Sequence, residues 1–95
     1  MRKYEITFVV RPDLEEAEIN KTAEEFKKLL KKDKATLVSE KAEGQKELAY
    51  EIKKFTTGYY FLFVVEANNE TITEFDRIAK INENLLRHLI VKVEE

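Results

Sequence analysis

The 95-residue chain has no cysteine and no tryptophan, and only two glycines, one proline, one methionine and one histidine. Without cysteine there is no disulfide, no thiolate zinc or iron–sulfur site and no thiol nucleophile. With so few breakers and 43% hydrophobic residues, a disordered chain is excluded as well. Long apolar runs are also missing. The longest, Tyr59 to Val65, falls far short of the roughly 20 residues that cross a bilayer, and the N-terminus lacks a signal-peptide core. A cytoplasmic protein with no membrane role is therefore expected. An excess of one charge sign is lacking too: 17 Lys+Arg stand against 19 Asp+Glu, a net charge of -2. Any polyanion site must therefore be a local patch. Charged residues, mostly Lys and Glu, make up 38%, a lean towards a thermophilic or engineered stable scaffold.

The same scarcities argue against catalysis. Nucleophilic catalysis needs a nucleophile, a base and an orienting group that converge, and the chain offers one serine, Ser39, and one histidine, His88. The pattern puts these on opposite edge strands. Glu15, Glu16, Glu18, Glu24 and Glu25 are interleaved with lysines at helical spacing, which is the pattern of surface ion pairs rather than of a metal site. Gly44 and Gly58 lie too far apart for a phosphate loop. No cofactor, metal or small-molecule substrate is expected, and the protein is read as not an enzyme.

What is present is periodicity. Tyr4, Ile6, Phe8 and Val10 alternate with Glu5, Thr7 and Val9, which predicts a first strand. Pro12 ends it, and Asp13 with Glu16 reads as an N-cap and capping box. Ile19, Ala23, Phe26 and Leu30 then place one apolar stripe on a helix running to about Lys32. Residues 35 to 52 predict a long second strand with a bulge near Gly44, and Lys53 to Gly58 a turn. Tyr59 to Glu66 predict a third strand, apolar on both faces. Asn68 and Asn69 are N-caps for a second helix carrying Ile72, Phe75 and Ile78 or Ala79, and the last strand spans about Leu85 to Val93. On that strand Leu86 and Ile90 compete with Leu85, Leu89 and Val91 for the inner face.

This order, β-α-β-β-α-β, closes under the right-handed crossover rule into an α+β, ferredoxin-like split. We expect residues 1–95 to form a single domain with a four-stranded antiparallel sheet ordered 4-1-3-2. Both helices cover one face, which leaves the other for solvent or a partner. Within that topology Arg2, Lys3, Lys34 and Lys92 fall at one end of the sheet and Arg11, Lys53, Lys54 and Arg87 at the other, where each group could cradle phosphates or simply keep the surface soluble. Gly58-Tyr59-Tyr60-Phe61-Leu62-Phe63 partly resembles the aromatic signature of RNA-recognition motifs. Thr57, Tyr60 and Val64 depart from it, and an ordinary core strand is the plainer reading. His88 reads as a strand surface residue, with phosphate contact as the alternative.

Taken together, Met1-Arg2-Lys3-Tyr4-Glu5, Gly44-Gln45-Lys46-Glu47-Leu48-Ala49-Tyr50, Gly58-Tyr59-Tyr60-Phe61, Ile81-Asn82 and Leu86-Arg87-His88-Leu89-Ile90-Val91-Lys92 resemble the bacterial small-subunit ribosomal protein six family over essentially the whole chain. Glu51 stands where that family usually has proline, and Ala79-Lys80 where it usually has Leu-Arg. The resemblance implies a ferredoxin-like fold and a structural role. It also implies binding of small-subunit ribosomal RNA in the central domain, alongside small-subunit ribosomal protein eighteen. By the same resemblance Arg2, Lys3, Lys46, Lys54, Arg87, His88 and Lys92 are candidates for RNA contact. Leu48, Tyr50, Tyr60 and Leu62 are candidates for the partner-protein interface, with core packing as their alternative. The isolated chain is expected to be a monomer. A reading from another class stays open: a ferredoxin-like protein-interaction scaffold, natural or engineered, that works through its open face or second-strand edge without RNA.

Overall fold

A computed structural model describes residues 2–93. In chain order the elements are β1 Arg2–Val10, α1 Glu16–Lys32, β2 Thr36–Ile52, β3 Phe55–Ala67, α2 Asn69–Ile81 and β4 Leu85–Lys92. The strands form one antiparallel sheet ordered β2-β3-β1-β4, which is the expected 4-1-3-2 order read from the other edge. With two helices on one face this is the ferredoxin-like α+β split.

Alternation decides what the helices cover. Tyr4, Ile6, Phe8 and Val10 of β1 stand opposite Val65, Phe63, Phe61 and Tyr59 of β3, so both sets share a face. Ile19, Ala23, Phe26 and Leu30 from α1 and Ile72, Phe75 and Ala79 from α2 close over them. Phe8 is the hub: its ring lies 5.1 Å from those of Phe26, Phe61 and Phe63, and Phe26 in turn lies 5.1 Å from Phe75. Such aromatic pairs add about 0.5–1.5 kcal/mol each beyond burial. Of the two residues offered for the end of the α2 stripe, Ala79 is buried and Ile78 packs at the margin.

Three local expectations are corrected. Asp13 does not cap α1; its carboxylate accepts from Arg11 Nε and Nη2 at 3.1 and 2.8 Å, and the N-cap is Glu15, which forms no side-chain cap bond. The turn expected over Lys53 to Gly58 is only Lys53-Lys54. Both have positive φ, 50° and 72°, as a two-residue primed hairpin turn requires, and Ile52 pairs with Phe55 across it. Gly58 is instead a buried strand residue. A Cβ there would collide with the Val9 side chain and come 3.3 Å from the Val10 carbonyl oxygen, so glycine is required by close packing rather than by a turn. Gly44, with φ of 81°, does mark the expected bulge in β2.

The competition on β4 is settled by a bulge of its own. The β1–β4 register shifts between Val9 and Val10, so that Val9 faces Arg87 and Val10 faces Leu85. Leu86 is the extra residue, and both leucines are buried. Beyond the bulge Ile90 turns to the helices, while Leu89 and Val91 turn to the open face.

Candidate functional site

The open face is a set of cross-strand rows that follow from the registers. Val91, Glu5, Val64 and Ser39 make one row, Leu89, Thr7, Leu62 and Lys41 the next, and Arg87, Val9, Tyr60 and Gly44 the third. Leu89 and Val91 are 52% and 45% exposed, and Leu62, Val64 and Tyr60 are half-buried. An apolar patch of Leu89, Val91, Leu62, Val64 and Tyr60, bordered in its rows by Glu5, Lys41 and Arg87, therefore lies on a face that no helix covers. Of the residues expected to meet a partner protein, Tyr60 and Leu62 lie on this face. Leu48 and Tyr50 do not belong to its rows: they sit on the β2–β3 arm, where β3 has run past the end of β1.

That arm bends back over the end of the sheet. Tyr50 Oη lies 3.4 Å from Arg87 Nη1, and the Arg11 guanidinium stands 5.4 Å from the centre of the Phe55 ring. Lys46, opposite Gly58, sits 5.6 Å from the Tyr60 ring centre and donates to Glu43 at 2.8 Å. Its ammonium holds the Glu43 carboxyl below the usual carboxylate range. Lys54 occupies the turn. Lys46 and Arg87 thus flank the base of the arm around Val9 and Tyr60, and Lys53 and Lys54 form its tip.

Arg2, Lys3 and Lys92 lie at the opposite end, opposite Ala67, Glu66 and Tyr4 respectively, Arg2 and Lys92 on one face and Lys3 on the other, with Lys34 in the connection before β2. The two ends lie roughly 25 Å apart along β1 at the usual rise per strand residue. One phosphate cannot meet both.

His88 joins neither group. Opposite Phe8, it points to the helix-covered side, where its Nε2 lies 2.7 Å from Asp76 Oδ1 of α2. A carboxylate has no hydrogen to give, so the imidazole donates. That bond, with Lys80 3.1 Å away, holds the Asp76 carboxyl below its usual range. His88 therefore fastens β4 to α2.

Among the described residues the chemistry of a catalytic or metal site does not assemble. Ser39 and His88 lie on opposite edge strands. Among the described residues no group of three His, Cys, Asp or Glu could hold a metal ion. The cleft of about 340 Å³ between α1 and β2 has Phe61 and Phe63 among its lining residues, and Lys27 beside it lies 2.6 Å from both Glu24 and Glu40. The two carboxylates raise the Lys27 ammonium above its ordinary value, Glu24 most, which makes it a charged strut between helix and strand rather than a base.

Two features of this site escaped the sequence: the Tyr50–Arg87 contact, which spans the whole sheet end, and the exposed Leu89 and Val91. The alternation of β4 with β1 would have identified the latter pair, had the bulge at Leu86 been known.

The described geometry has relatives. Residues 3–92 match the family model described as ribosomal protein S6. The crystal structure of the 30S ribosomal protein S6 from Thermotoga maritima is similar over 97% of this chain and 87% of its own, with a TM-score of 0.92 and 25% identity.

Proposed function

Since the chain belongs to the ribosomal protein S6 family, a structural and non-enzymatic component of the bacterial small ribosomal subunit in the cytoplasm, we propose that it binds small-subunit ribosomal RNA in the central domain together with small-subunit ribosomal protein eighteen. The observation that carries this reading is the coincidence of the family match with the two surfaces described above. A basic arm end is suited to phosphates, and an apolar open face is suited to protein. Arg87 and Lys54 form no ion pair among the described residues, so their charge is available to a phosphate. Tyr60 and Leu62, together with Leu89 and Val91, are the surface offered to the partner protein.

RNA contact of this kind fixes position without reading bases, because side chains that touch phosphates carry no sequence information. The protein then works as a rigid platform that holds an RNA junction and a partner in one orientation. In isolation it is a monomer.

The test is a titration against a central-domain RNA fragment, with and without small-subunit ribosomal protein eighteen, over a series of salt concentrations. Binding that weakens with salt and tightens with the partner is expected, because phosphate contacts release counterions whereas an apolar interface barely responds to salt. Replacing Arg87 and Lys54 together by alanine weakens RNA binding and leaves the urea midpoint unchanged, since exposed charges contribute little to folding. Unaltered affinity removes both residues from the site. No binding in any condition, with a cooperative fold intact, would overturn the reading in favour of a scaffold without RNA.

A further inference from the structure

The four arginines are not equivalent. Arg11 gives Nε and Nη2 to Asp13, and Arg77 gives the same two nitrogens to Glu74, so in both the forked edge of the guanidinium and its charge are taken by a carboxylate of this chain. Arg87 is held differently. Its Nη1 donates to the phenol oxygen of Tyr50 at 3.4 Å, and the Nε–Nη2 edge has no acceptor among the described residues. A phenol is neutral, so this contact orients the guanidinium without cancelling its charge. The edge left open is the one that Arg11 and Arg77 turn towards carboxylates in this same molecule.

The contact is not a by-product of core packing. Tyr50 is 61% exposed, lies 37 residues from Arg87 in the chain, and reaches it only because the arm bends across the sheet end. We propose that Tyr50 is a positioning residue for RNA binding: its hydroxyl holds Arg87 on β4 with the forked edge facing outward for a backbone phosphate. The inference rests on the RNA reading above and assigns to Tyr50 a role through Arg87 rather than a contact of its own. It also ties the arm to the RNA site, because a phosphate gripping that edge meets an arginine already fastened to the arm.

Tyr50→Phe keeps the ring and removes only the acceptor. Titrated against the same RNA fragment with the partner protein present, this variant should bind roughly threefold to tenfold more weakly, the range of one hydrogen bond. Its urea midpoint should stay at the wild-type value. In an Arg87→Ala background the same substitution should cost nothing further, because the group it positions is gone. The Arg87 side-chain Nε–H signal in an NMR spectrum should become more mobile in Tyr50→Phe even without RNA, a readout that a purely structural role would not move. Three results would overturn the inference: wild-type affinity in Tyr50→Phe, an undiminished loss in the Arg87→Ala background, which would mark a direct contact of Tyr50 with RNA or partner, or an unmoved Arg87 signal. Failure of the wild-type protein to bind RNA at all would overturn the RNA reading itself, and the inference with it.

Discussion

The two faces of the sheet come from the same strands and the same alternation, yet they differ in what they hold. On the helix side the rows from Tyr4 to Val10 of β1 and their partners on β3 carry no charge, and Ile6, Phe8, Val10, Phe63 and Val65 are sealed from solvent. On the open side the rows mix Glu5 and Thr7 with Val64, Leu62, Leu89 and Val91, and the leucine and valine of β4 stand about half exposed. The difference teaches that stability and recognition are divided between the faces. Two amphipathic helices bring enough apolar surface to bury one face completely, and what is left on the other remains available for binding.

The largest effect expected from that division is on the covered side. Phe63→Ala removes a ring that is 1% exposed and lies against Phe8, and should destabilise the fold by about 3–5 kcal/mol in urea denaturation. A loss well under that range would mean that the helix side is not where the stability lies.

Gly58→Ala gives a sharper probe, because it tests whether the open side is permissive everywhere. The added methyl collides with Val9 and crowds Leu86 at 3.5 Å, so a cost of about 1–3 kcal/mol by overpacking is expected. If the variant is as stable as the wild type, the close approach of β3 to β1 at this point is softer than its geometry indicates. The smallest effect is expected for Leu89→Ala on the open stripe, within about 0.5 kcal/mol of wild type in the same assay. A cost as large as that of Phe63→Ala would break the comparison and make the open face a second core.

The helices, the strands and their order were legible because apolar spacing is a local property: the Ile19, Ala23, Phe26 and Leu30 stripe and the β1 alternation each indicate which side faces inward. Local chemistry was misjudged where a side chain had two possible partners. Asp13 has the residue type and place of a cap, but Arg11 two positions earlier binds it more strongly as a charged fork. Glycine-poor composition misled in another way. Lysine takes left-handed backbone at Lys53 and Lys54 in the hairpin, and at Lys34 after α1, where Lys34 N–H bonds the Lys31 carbonyl and Ala35 N–H the Leu30 carbonyl as in a Schellman stop. The chain's two glycines meanwhile serve a bulge and a tight packing point.

The candidate site was legible only in part. The two basic ends follow from topology: the registers place Arg2, Lys3 and Lys92 at one end of the sheet and Arg87, with the Lys53-Lys54 turn beyond it, at the other. His88 was grouped with them through the family resemblance, but it faces the helix-covered side, where it meets Asp76 of α2.

Residue identity and spacing along the chain were enough for the element types, the α+β topology, the exclusion of thiol chemistry and the family resemblance. Tertiary structure alone decided which leucines of β4 turn inward, why Gly58 must be glycine, that His88 belongs to α2, and that Tyr50 meets Arg87. Each of these depends on a one-residue bulge or a bend of the arm, and on a strand a shift of one residue moves every side chain to the other face.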